Sequence, residues 1–300
     1  MNGKLALFAH HLVELRAKFR EKVDDGTAKK LLSYLVQFGY LSPEKLADIE
    51  TLWKALGILR DLLGFDEELP EDDILRSPFL DKLLTAPRCG CPDHFEFAAS
   101  PKKWGKRELN YKIIRYVDGL TNNEQDSIIE QAFRQWSDVC DVKFEQAKRT
   151  DLLGIDIINI VISAGIGTND HFDGPFGTLA WAYLPSSPNF FGQLHMKFDL
   201  SETWSDSPSE RGILMLNVAC HEIGHLLGLE HSSVRGALMA PFYDPNIAKP
   251  VQRDDISRIV GLYGHPKPPA LPPIIPPSYE VLRPEHFTEE GKRVLRSWFQ

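Results

Sequence analysis

The stretch His221-Glu222-Ile223-Gly224-His225-Leu226-Leu227-Gly228-Leu229-Glu230-His231 constrains this chain more than any other. It reads H-E-x-x-H-x-x-G-x-x-H. His221 and His225 are four apart, so one face of a helix presents both imidazoles to one metal ion. Glu222 lies on the same turn, within reach of a water held by that metal, and suits a general base. Gly228 can adopt positive φ, end the helix and turn the chain back. His231 then supplies a third nitrogen. Three imidazoles with one position left for water is the donor set of a catalytic zinc.

Two further stretches agree. Ala237-Leu238-Met239-Ala240-Pro241 follows the third histidine at the distance of a Met-turn, with Met239 beneath the metal site. Pro87-Arg88-Cys89-Gly90-Cys91-Pro92-Asp93 brings two thiols into one short segment, and a thiolate is a good zinc ligand. Together with His231-Ser232-Ser233 and Pro241-Phe242-Tyr243, these residues resemble the metzincins, and among them the matrix metalloproteinases. Segment 87–93 is similar to that family's cysteine switch, usually P-R-C-G-V-P-D. Residues two apart in an extended chain face the same side, so direction alone does not choose between Cys89 and Cys91. The resemblance assigns the role to Cys89, which follows Arg88 where the switch cysteine stands. It implies a latent zymogen in which Cys89 fills the fourth zinc position and excludes the catalytic water.

The resemblance implies more. Tyr34-Leu35-Val36-Gln37-Phe38-Gly39-Tyr40-Leu41 looks like a propeptide stretch of the family. Phe172-Asp173-Gly174-Pro175-Phe176-Gly177 and Phe198-Asp199-Leu200-Ser201-Glu202-Thr203-Trp204 resemble its calcium-loop motifs. Asp173, Asp199 and Glu202 would offer the hard oxygens calcium prefers. The family's structural zinc is expected to be lost. Its ligand positions hold Thr168-Asn169-Asp170, Trp181 and Lys197, while His171 and His195 lie nearby but off register. Substrate is expected to lie extended along Leu179, Ala180 and Ala182. An apolar S1′ pocket is expected, walled by Pro241, Phe242 and Tyr243 with Asn217 near its rim.

Composition bounds the rest. The chain has 300 residues, 43% hydrophobic and 25% charged, enough for one or two compact domains with tails. A net charge of −8 argues against a nucleic-acid footprint. No apolar run approaches the roughly 20 residues of a membrane span. A monomer acting on protein or peptide is expected. Four cysteines are too few for a disulfide scaffold, and a bridge between Cys89 and Cys91 would be strained. Cys140 and Cys220 sit in apolar contexts and read as buried thiols. Leu5 to Ala9 is too short an apolar piece for a signal peptide, although the resemblance implies secretion.

Along the chain, residues 1–100 read as a helical propeptide. Leu12, Leu15 and Phe19 recur at helical spacing, as do Leu31, Leu32, Leu35 and Phe38. Ser42-Pro43 opens a helix striped by Leu46, Ile49, Leu52, Trp53 and Leu56. Residues 101–264 read as the α+β metzincin domain, a twisted mixed sheet with long helices. Strands are expected at 109–114, 155–162 and 177–183. Thr121-Asn122-Asn123-Glu124 caps a helix that buries Ile128, Ile129, Ala132, Phe133 and Trp136. Ser207-Pro208 is expected to introduce the active-site helix, and 254–264 to close the domain. Residues 265–300 form a Pro-rich linker and a tail, with a short helix expected over 287–299. The 23 residues after Pro277 are too few for the hemopexin domain that often follows such a hinge.

The expectation is therefore a latent zinc endopeptidase acting on extracellular, matrix-type proteins. Two rivals stay open: an inactive metzincin fold kept for binding, and an intracellular metalloprotease. The intact His221, Glu222, His225 and His231 argue against the first.

Overall fold

A computed structural model describes residues 25–42, 49–70, 74–93, 102–147, 158–208, 212–245, 251–267, 288–290 and 293. Residues up to Pro266 form one compact unit and Lys267 onward a second. In the second unit, helical Glu289, Glu290 and Arg293 are nearly all that is described, so the tail-helix expectation falls mostly outside the described residues. So do Met1 to Ala9, the helix of Leu12, Leu15 and Phe19, the Pro43 helix start, and 155–157.

The N-terminal part is a helical layer: α1 Asp25–Gln37, α2 Ile49–Leu62 and α3 Pro78–Thr85. Ser77 caps α3 by accepting from the Leu80 amide, and Pro78 sits at the first turn, where its missing N–H costs nothing. Leu31, Leu32, Leu35, Leu52, Leu56, Leu59, Phe79 and Leu83 bury into one apolar core. Phe242, far along the chain, packs on its edge.

After α3 the chain enters a six-stranded sheet. Its strands are β1 Arg88–Cys89, β2 Glu108–Ile113, β3 Lys143–Gln146, β4 Ile160–Gly165, β5 Thr178–Ala182 and β6 Leu194–Asp199, in spatial order β1-β5-β6-β4-β2-β3. Only β5–β6 is antiparallel; the other pairs are parallel. β4 is buried at every residue; it starts at Ile160 and runs on to Gly165, past the end of the strand expected at 155–162, and only Ile160, Val161 and Ile162 are β-branched. The strands β1, β3 and β6 were not expected from sequence.

One face of the sheet carries α4 Asn122–Ser137 and α5 Met215–Leu226. α4 has the expected capping box: Thr121 Oγ1 accepts from the Glu124 amide and Glu124 accepts from the Thr121 amide. Its expected stripe from Ile128 to Trp136 is buried. α5 is buried on nearly all sides, so it can be apolar all round.

The expected start of this helix at Ser207-Pro208 is corrected. There Ser205 Oγ donates to the Ser207 carbonyl and accepts from its amide, closing a turn. A two-strand ribbon, β7 Trp204–Ser205 with β8 Ile213–Leu214, precedes the helix. The last helix, α6, spans Arg253–Tyr263. Among the described residues no helix is long and apolar enough to cross a membrane.

Candidate metal centre

The centre is built from the end of α5. The helix stops at Leu226, and Gly228 follows at φ 98. A Cβ there would stand 2.1 Å from the Lys102 carbonyl, so glycine is required on both counts. Trp104 Nε1 donates to the Leu226 carbonyl and Tyr263 Oη to that of Leu227, satisfying carbonyls the helix leaves open. The reversal brings His231 back. His221 Nε2 and His225 Nε2 each lie 3.2 Å from His231 Nε2.

Each imidazole is held at its other nitrogen. His221 Nδ1 lies 2.7 Å from the Leu238 carbonyl, His225 Nδ1 2.7 Å from the Leu229 carbonyl, and His231 Nδ1 2.5 Å from Asp93 Oδ1. Two of these oxygens only accept, so Nδ1 carries the proton and the Nε2 lone pairs face one another. Burial, then the neighbouring His231, pushes His221 down to about 3; burial lowers His225 in the same direction. Neutral imidazoles are the form that binds a metal.

Cys89 Sγ lies 3.5 Å from His225 Nε2. Cys89, His221, His225 and His231 form a group whose donor atoms all fall within 4.8 Å of one another. The spacing fits zinc. Tetrahedral zinc with Zn–N near 2.05 Å and Zn–S near 2.3 Å separates nitrogens by about 3.3 Å, and sulfur from nitrogen by about 3.6 Å. Cys91 stands outside this group of four, its thiol donating to the Ala182 carbonyl at 3.1 Å. Cys140 and Cys220 are buried and free, as expected.

Glu222 is fully buried, and neither carboxylate oxygen has a hydrogen-bond partner. Burial pushes its carboxyl up to about 8, opposed by the facing Cys89 thiol. Met239 is buried against Gly224, where an added Cβ would meet its sulfur at 2.4 Å. The turn around Met239 is fixed by Asp255, which accepts from the amides of Leu238 and Met239.

Segment 87–93 lies between two walls. Arg88 and Gly90 amides donate to the Gly177 and Ala180 carbonyls on the β5 side; the Cys89 amide donates to Pro241, and the Tyr243 amide to Pro87. The segment thus takes the backbone sites beside Leu179, Ala180 and Ala182 where substrate is expected. Asp93 accepts two bonds from Arg88 Nη2, at 2.7 and 2.8 Å, and one from Tyr40. Arg88 also donates to Tyr34 and stacks 3.4 Å from the Phe38 ring centroid. A pocket opens beside Glu222, lined by Cys89, Leu179, Asn217, Pro241 and Tyr243 among others. Ala180 and Ala182 lie outside that lining. Asn217 is buried in the wall rather than standing at the rim.

The acidic loop is less closed. Asp173 accepts from the Thr178 amide, Glu202 from Phe176 and Asp199 from Ser201. Asp199 Oδ2 is buried without a partner. Burial, then the charges of Asp199 and Asp173, raises the Glu202 carboxyl, as three carboxylates around one cation site would. They do not form a group with donors within 4.8 Å of one another. At the candidate structural-zinc position, Lys197 Nζ lies 2.5 Å from Asp170 Oδ1 and Trp181 Nε1 donates to the Asp170 carbonyl. His171 stacks edge-on against Trp181.

Sequence reading missed Asp93 behind His231, Asp255 behind the Met239 turn, and the backbone carbonyls of Leu229 and Leu238. Asp93 ends the switch motif and could have been suspected; the carbonyls leave no trace in a side-chain pattern.

Residues 103–264 match the matrixin family. The chain is 38% identical to matrilysin of Rattus norvegicus over 236 residues, 77% of this chain and 84% of that protein. It is 34% identical to the hatching enzyme of Paracentrotus lividus over 258 residues, 81% of this chain and 40% of that protein. It is 36% identical to macrophage metalloelastase of Rattus norvegicus over 230 residues, 73% of this chain and 48% of that protein. The chain thus spans less than half of the latter two. Fold, histidine cluster and relatives together define a zinc metalloendopeptidase. The chain belongs to the matrixins, the matrix metalloproteinase family.

Proposed function

We propose that this chain is a latent form of that endopeptidase, with His221, His225, His231 and Cys89 holding the catalytic zinc. The observation that carries the reading is the Cys89 sulfur 3.5 Å from His225 Nε2, inside the cluster of three imidazoles. Bound there, zinc polarises water and the scissile carbonyl. The chain's own residues do the rest. Once Cys89 and the switch strand withdraw, a substrate strand lies along Leu179, Ala180 and Ala182, taking over carbonyls such as that of Ala180. A side chain enters the pocket between Asn217, Pro241 and Tyr243. A Glu222 carboxylate oxygen takes the proton of the attacking water and passes it to the leaving amine. Met239 and its turn support the imidazoles from below.

Substrates of this kind are extracellular proteins, and secretion fits the matrilysin-like relatives. Asp173, Asp199 and Glu202 hold calcium; the partnerless Asp199 Oδ2 supports this. The chain acts as a monomer. In Cys89→Ser a neutral hydroxyl replaces the thiolate, so the uncut protein should hydrolyse a fluorogenic peptide without activation. A silent Cys89→Ser chain that still holds zinc would overturn the latency reading.

A further inference from the structure

The latency reading gives Cys91 no task, yet the fold keeps its sulfur beside that of Cys89. Both cysteines are free and buried. Cys89, Cys91, Glu222 and His225 form a second group whose donor atoms lie within 4.8 Å of one another. The Cys91 amide donates to Cys89 Sγ at 3.3 Å, so the chain bends back over Gly90. A straight strand would hold these two residues about 6.7 Å apart along its axis, near the limit a disulfide can span. The bend shortens that reach.

We propose that Cys89 and Cys91 are a redox latch: a peroxide-class oxidant joins them in a disulfide and frees the metal centre while the chain stays uncut. The proposal rests on Cys89 being the latency ligand. Cys89 is then engaged at the metal, which leaves Cys91 as the first nucleophile. Its sulfur attacks one peroxide oxygen, the O–O bond breaks, and hydroxide leaves and takes up the thiol proton as water. Cys91 is now a sulfenic acid. The Cys89 thiolate attacks it, the S–S bond forms, the S–O bond breaks, and the second hydroxide leaves and takes a proton from solvent to become water. One thiol, one thiolate, one solvent proton and one peroxide become one disulfide and two waters, with two electrons passing from sulfur to oxygen.

Two consequences follow from the chemistry. A disulfide sulfur carries no negative charge, so it is a poor zinc ligand. Closing the bond also draws Cys89 Sγ toward Cys91 and away from His225. Because the ring is small, the bond is strained, and strained disulfides are the easily reduced ones. Cys89 lines the pocket beside Glu222, and the Cys91 sulfur lies within 4.8 Å of the Cys89 sulfur, one layer behind it. Cys140 and Cys220 are each packed in the apolar core of the sheet and helices, outside this group.

The test uses the full-length, zinc-loaded protein and hydrogen peroxide, followed by thiol alkylation, trypsin and mass measurement of peptide 89–102. The peptide should lose two hydrogens and resist alkylation. Peptide hydrolysis should rise without shortening of the chain, then fall when a phosphine reduces the bond. In Cys91→Val the same oxidant should add oxygen to the peptide and give no phosphine-reversible activity. The latch is overturned if wild type keeps both thiols or only gains oxygen, if the disulfide forms without activity, or if Cys91→Val rises and falls like wild type. Unoxidised Cys89→Ser separates the two ideas. If it is silent, the latency reading fails whatever the peptide mass; if it is active and no disulfide forms, only the latch fails.

Discussion

Each imidazole of the cluster leans on an oxygen from a different stretch of chain: Leu238 for His221, Leu229 for His225, Asp93 for His231. Two of the supports are local to the catalytic domain, and the third belongs to the switch segment. Glu222 has no such support: its carboxylate is buried beside the Cys89 sulfur, and neither oxygen has a hydrogen-bond partner. Glu222→Ala should therefore keep its zinc while kcat falls about 10²–10⁴-fold, the usual worth of a general base. Elemental analysis beside steady-state kinetics checks both halves; comparable turnover would exclude Glu222 as the base. Asp93 allows a pH prediction. Burial pushes its carboxyl up, but Arg88 and then His231 outweigh burial and hold it at about 2. A carboxyl lowered by folding stabilises the fold fully above its ordinary range near 4, and the contribution is lost as pH falls toward 2. Asp93→Asn, with metal chelated, should cost at least about 2 kcal/mol in urea unfolding at neutral pH and little at about pH 2. A cost independent of pH would contradict this. At this scale the side chains of the H-E-x-x-H-x-x-G-x-x-H string were legible, because helical spacing dictates their meeting. Asp93 behind His231 was not, because that contact depends on how two distant segments pack.

Among elements, the helices and the strands β2 and β5 were legible from period and caps, β4 only in its first half, and the central strand β6 not at all. α4 carries its capping box and apolar stripe in plain order, and β4 opens on the β-branched Ile160, Val161 and Ile162. β1 was illegible for a physical reason: two residues inside a Pro/Gly segment have no periodicity, and pairing with β5 comes from tertiary contact alone. The active-site helix started later than expected because hydroxyl bonds at Ser205 and Ser207 close a turn where a cap was read. β1 also explains why residue 90 is glycine. A Cβ there would stand 2.5 Å from Thr178 Cγ2, against the β5 edge. Gly90→Val should push the switch strand off β5, raising the basal activity of the uncut chain and the alkylation rate of Cys89. An unchanged alkylation rate would mean that β1–β5 pairing does not hold the latch.

Across the whole molecule, segment 87–93 joins the N-terminal helical layer to the sheet and the histidine cluster, and Phe242 packs on that layer beside it. That segment contributes a sheet edge, a thiol at the histidine cluster and a carboxylate behind His231. The α+β class was legible from the change of period near residue 100, whereas the joining of the two cores around Phe242 was not. A second distinction belongs here. Lys197 on Asp170, with Trp181 beside them, puts a fixed ammonium where a second zinc would need donors. The dialysed full chain should therefore retain a single zinc by elemental analysis, and two would show that His171 or His195 completes another site. With one zinc per chain, X-ray absorption at the zinc edge reads its ligands without ambiguity. The uncut protein should show three nitrogens near 2.05 Å and one sulfur at about 2.3 Å, and the sulfur shell should vanish in Cys89→Ser. A shell of nitrogen and oxygen alone in the uncut wild-type protein would contradict the account.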